Sequence, residues 1–282
     1  MKLKLNPAAA IVALLAAFLV LPCAADELAD KGREIFKKNQ RTVVTVQIVQ
    51  KMTFSMPGQG SPSRETKQDI TGTVVDASGL TVVALSACDP STMYESMMAG
   101  MADEDAQFKM ESELTDVKLL LDDGTELPSE VVLRDKDLDL AFVRPKTKPA
   151  NPMTSVDLSK STQAQVLDQV ITLNRLGNAA GRAYAVSVER VTAVVQKPRT
   201  FYIPDSTMTA TSLGSPAFAM DGNILGVFVM RTVSSKSGMG MFNFRPDGLT
   251  SIILPAADVL KAAKQAPAKA EDKKSDEKGK KE

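Results

Sequence analysis

The sequence predicts an all-β protein of two six-stranded antiparallel barrels with a short helix at either end. Three observations lead there. Short runs rich in β-branched residues recur along residues 41–262, separated by turn residues. Helical patterning is confined to the two edges of that region. The runs fall into two groups of six, divided by a proline-rich stretch at residues 144–161.

Residues 1–25 read as an export leader. Lys2 and Lys4 form a positive start, residues 8–21 are apolar, and Pro22-Cys23-Ala24-Ala25 precedes a cut before Asp26. The apolar run is shorter than the ~20 residues a spanning helix needs, so no membrane span is expected once it is removed. Pro22 before Cys23 argues against lipidation. The expected location is secreted or periplasmic.

Residues 26–40 are expected to be helical on Leu28, Ile35 and Phe36. The first barrel, residues 41–146, begins with a strand at 42–49. A polar loop is expected over 51–66, holding Pro57, Gly58, Gly60 and Pro62. Strands follow at 69–75, 80–85, 117–121, 130–134 and 138–143. Asp76-Ala77-Ser78-Gly79 and Asp122-Asp123-Gly124-Thr125 supply turns between them. Residues 147–164 are the linker. The second barrel, 165–262, takes strands at 166–173, 183–195, 200–203, 216–220, 224–230 and 249–254, and a short helix at 256–264. Residues 263–282 end in a mixed-charge tail without a large apolar residue beyond 265, which predicts disorder.

Composition excludes several functions. The chain has 34 basic and 34 acidic residues, and loss of the leader removes two lysines, so no basic patch points to nucleic acid. Loss of Cys23 leaves Cys88 alone, unable to form an internal disulfide and best read as a small buried hydrophobe. Histidine is absent altogether. A Ser-His-Asp triad, a Cys-His dyad and a His-liganded metal site are therefore ruled out.

Three segments carry a resemblance. Residues 71–86 read TGTVVDASGLTVVALS. Residues 117–124 and 134–143 read VKLLLDDG and RDKDLDLAFV. Residues 209–218 and 221–227 read TATSLGSPAF and DGNILGV. In this order they resemble the trypsin-like serine proteases, most closely the protease domain of the HtrA/Deg family. LGNAAG at 176–181 and LPAADVL at 254–260 are similar to that family's glycine turn and closing strand-to-helix step.

The resemblance implies a double barrel, and it assigns positions residue by residue. Asp139 falls at the family's catalytic aspartate, Ser86 at its histidine and Leu213 at its nucleophilic serine. Thr211 falls at a glycine of the oxyanion hole, and Ser215 replaces the second glycine after the nucleophile. Leu213 offers no nucleophile, and Ser86 is no base at neutral pH. A shifted alignment would make Ser215 the nucleophile, directly before Pro216. A Ser-Lys dyad would need Lys197, the nearest lysine, for which no spacing singles out a serine partner. No PDZ module is expected after the barrel.

Between Ser86 and residue 117 the chain inserts a methionine-rich segment. Met93, Met97 and Met101 would share one helical face, with Met98 beside them. Packing on the barrel, an adaptable surface for a peptide or partner, and a thioether site for Cu(I) are the three readings. The resulting expectation is an exported, inactive protease homologue that binds a protein or peptide, with no cofactor and no resident metal. The alternatives are an HtrA-type endopeptidase with non-standard residues and a methionine-based metal binder.

Overall fold

The computed structural model describes residues 24–55, 61–91, 109–205, 212–232 and 249–267. Residues 1–23 of the expected leader, most of the methionine segment (Met93, Met97, Met98 and Met101 included), Thr211 and the expected tail from residue 268 on lie outside the described residues; Ala263, expected in the tail, ends the last helix. Helix α1 (Ala24–Asn39) leads into β1 (Val43–Ser55), β2 (Ser63–Val74), β3 (Thr81–Ala84), the single turn α2 (Leu85–Cys88), β4 (Lys109–Leu120), β5 (Glu126–Asp135) and β6 (Leu140–Pro145). The second set is β7 (Gln169–Arg175), β8 (Tyr184–Val195), β9 (Phe201–Pro204), β10 (Pro216–Ala219), β11 (Ile224–Thr232) and β12 (Leu249–Pro255), closed by α3 (Ala256–Ala263).

Each set closes into an antiparallel barrel. The first runs β1-β2-β3-β6-β5-β4, and the second, read from β7, runs β7-β8-β9-β12-β11-β10. The two barrels share one topology. Closure removes the exposed strand edges that would otherwise invite pairing with other chains.

Alternation along the strands builds three cores. Val44, Val46 and Ile48 of β1 point inward with Ile70, Val83, Leu119 and Val143 to fill the first barrel. Val170, Ala217, Leu225, Phe228 and Ile253 fill the second. The opposite faces form a third core, in which Leu140 and Phe142 meet Ile171, Leu173, Val227 and Val229 under Ile35 of α1 and Val259 of α3. That seam between the barrels positions the residues of interest.

The expected loop over 51–66 is mostly strand. β1 continues to Ser55 and pairs on both sides, Thr53 with Ser63 of β2 and Thr53 with Glu111 of β4. This ribbon lies outside the barrel and is held by backbone pairing, so its residues need no apolar alternation. Gln50, 2 % exposed, donates to the hydroxyl of Ser112 and to the carbonyl of Cys88. Cys88 itself is buried and free, and burial pushes its thiol up to about 12. The sixth strand starts at Leu140 rather than 138, because residues 136–139 form a turn.

Candidate functional site

β3 ends at Ala84 in extended conformation, and the chain turns at once into α2, so Ser86 stands where the strand gives way to the helix. Facing it, Asp139 closes the turn before β6 with φ 56, a left-handed conformation that aspartate tolerates better than most residues. The two backbones are tied directly: the Leu85 N–H donates to the Asp139 carbonyl at 2.9 Å.

The Asp139 carboxylate accepts three hydrogen bonds. The Ser86 N–H donates to Oδ1 at 2.7 Å, and the Ser86 hydroxyl donates to Oδ2 at 2.9 Å. The third donor crosses the seam: the Met230 N–H, on β11 of the second barrel, reaches Oδ2 at 2.6 Å. Burial pushes the Asp139 carboxyl up to about 6, against the pull of these three donors. Two opposing effects leave a carboxylate that is ionised at neutral pH and titrates just below it.

Against β2 and β3 lies the turn 212–214. Gly214 adopts φ 87 and passes so close to β2 that a Cβ there would collide with the Thr71 carbonyl. Its carbonyl accepts from Thr73 Oγ1 at 2.7 Å, and its N–H donates to the Phe228 carbonyl at 2.8 Å. The turn is therefore clamped to both barrels. It buries Leu213 to 5 % exposure, an apolar side chain with nothing to offer a carbonyl carbon.

Ser215 is fully buried, and its Oγ has no hydrogen-bond partner. Among the described residues this hydroxyl is sealed from solvent and hydrogen-bonded to no base that could activate it. Lys197 is exposed in the β8–β9 connection. Of the positions singled out in the sequence, the structure brings Ser86 and Asp139 into contact and places Leu213 in the clamped turn. Met230, Thr73 and Thr71 went unseen in sequence. They act through backbone atoms or as seam hydroxyls, which no side-chain pattern announces.

The arrangement holds shape. Asp139 spends its acceptor capacity on Ser86 and Met230, and so fixes α2 to β6 and the first barrel to the second. Among the described residues no cluster of His, Cys, Asp or Glu could hold a metal ion, and no helix is long and apolar enough to cross a membrane.

The family model of the trypsin-like peptidase domain matches residues 70–227, the stretch that runs from β2 through Ser86, Asp139 and Leu213 to β11. No curated protein matches the chain.

Proposed function

Because the chain belongs to the trypsin-like peptidase domain family, and because its Asp139 holds a serine where a protease needs a base, we propose that it is an exported member that has lost peptidase activity and binds a protein or peptide instead. One observation carries this reading. Both oxygens of the Asp139 carboxylate are engaged by Ser86 and Met230, and the clamped turn 212–214 holds a buried leucine.

In a working triad the aspartate orients an imidazole that takes the nucleophile's proton. Here the Ser86 hydroxyl occupies that acceptor. A serine hydroxyl is a poor proton acceptor near neutral pH, so there is nothing to activate a nucleophile. HtrA-type ancestry is the reading that the ordered motifs favour, and export rests on residues 1–25. The barrels remain as a scaffold on which a cleft can recognise a chain without cutting it.

Two measurements on the mature protein test this. Incubation with unfolded casein is expected to release no fragments. A fluorophosphonate probe is expected to label none of Ser86, Ser212 or Ser215. Casein cleavage abolished by Ser86→Ala would sink the proposal and favour an unorthodox hydrolase with Ser86 paired to Asp139.

A further inference from the structure

The seam holds a second buried charge, and its surroundings are the reverse of those of Asp139. Arg175 ends β7 and is 8 % exposed. Its Nε and Nη1 are buried and have no hydrogen-bond partner. Its guanidinium lies over the Tyr184 ring, 4.1 Å from the centroid, on the directly paired residue of β8. Tyr184 is held in turn by the edge of Phe36 from α1.

The other arginines at this junction are paired. Arg182, on the β7–β8 turn, meets Asp69 at 2.7 Å. Arg41, after α1, meets Asp122 at 3.2 Å. Asp122 and Arg41 both lie close enough to act on the Tyr184 phenol, which burial pushes up and which the charge of Arg175, together with a side-chain hydrogen bond from it, pulls down; Nε and Nη1 of Arg175 are left over. The carboxylate near Tyr184 is thus paired with Arg41. Among the described residues no carboxylate pairs with Arg175.

A guanidinium carries five N–H donors in a planar fork suited to an oxyanion with two acceptors. Burying one without an anion is strongly unfavourable, and a ring face offsets only part of the cost. We propose that Arg175 anchors a carboxylate-binding site at the junction of α1 with the two barrels. Its ligand is a carboxylate, supplied by an acidic peptide side chain or by a free small acid. The site lies on different residues from the Ser86–Asp139 contact and stands whether or not the protein cleaves peptides.

The test follows the Arg175 Nε–Hε signal of the ¹⁵N-labelled mature protein, assigned by its loss in Arg175→Met and in Arg175→Lys. Sodium acetate and a penta-glutamate peptide are titrated against sodium chloride at matched ionic strength. A saturable shift with acetate and peptide is expected, absent with chloride. Half-saturation at least tenfold lower for the peptide identifies a peptide ligand, and equal values per carboxylate identify a free acid. A second readout is Tm. Without ligand, Arg175→Met is expected to melt about 2–5 °C higher, since an unpaired buried charge has gone. Its melting is expected to be insensitive to acetate.

A signal that moves alike in acetate and chloride would mean that only water hydrates Arg175, and would overturn the site. So would the absence of a saturable shift with either acetate or the peptide. Lower melting of Arg175→Met would show that the arginine is a structural element already satisfied by Tyr184.

Discussion

Asp139 and Arg175 are both charged and both on the seam, yet both oxygens of one are engaged while the other leaves two of its nitrogens without a hydrogen bond. Asp139 gathers two N–H donors and a hydroxyl from both barrels. Arg175 leaves two nitrogens sealed and unpaired above an aromatic ring. The difference teaches what each charge is for. A buried charge that the fold has fully satisfied serves the fold, because removing it orphans its donors. One that the fold leaves partly unsatisfied adds cost, which on the proposal above a bound carboxylate offsets.

The comparison depends on a docked seam, and the largest effect comes from breaking it. Gly214→Ala would place a Cβ against the Thr71 carbonyl at φ 87, a conformation unsuited to alanine. Neither backbone can yield easily, since the Gly214 carbonyl and N–H are bonded to Thr73 and Phe228. A loss of roughly 3–5 kcal/mol is expected, read as a fall in the urea midpoint. If the variant is as stable as the wild type, the two barrels are not held by this turn and the two charges need not be compared as parts of one interface.

Asp139→Ala comes next. It leaves the Ser86 and Met230 N–H groups without an acceptor, at a cost of roughly 2–3 kcal/mol. The pH dependence separates the charge from the hydrogen bonds. The folded carboxyl sits at about 6, above its ordinary 3.8. Between about pH 4 and 6 the folded protein therefore binds more protons than the unfolded chain, and stability falls as pH rises. The contribution is complete below about 4 and lost above about 6, on the order of 3 kcal/mol at most. Urea midpoints from pH 3.5 to 7 should show this decline in the wild type and lose it in Asp139→Ala. A flat wild-type profile would mean that the three donors balance burial, and a rise with pH that they outweigh it.

The barrels were legible because barrel strands must alternate, and residues such as 43–49 and 224–230 do so or run apolar on both faces. The ribbon at 50–55 and 63–67 was not, because backbone pairing outside the barrel demands no pattern. Ser86, Asp139 and Leu213 could be placed by motif order. Their meeting with Met230 could not, since a backbone N–H 91 residues away has no signature. Arg175 was passed over for a related reason. A charged residue just after an apolar run looks like the surface end of a strand, and only the packing of α1 and Tyr184 shows it to be buried.

The smallest effect supplies the control. Asp69→Asn would leave Arg182 as unpaired as Arg175, while Gln47 keeps its bond to residue 69 through the retained oxygen. The Arg182 side chain is 30 % exposed, so water can take over its donors once the carboxylate charge is gone. A cost of only about 1 kcal/mol is expected. It should shrink between 0.05 and 0.5 M NaCl, because screening weakens a pair that solvent can reach. That outcome would show that an unpaired arginine is tolerable on this seam where water has access, and would leave burial as what sets Arg175 apart. A cost of 3 kcal/mol, insensitive to salt, would instead place Arg182 in a dry environment. The contrast between the two arginines would then rest on pairing alone.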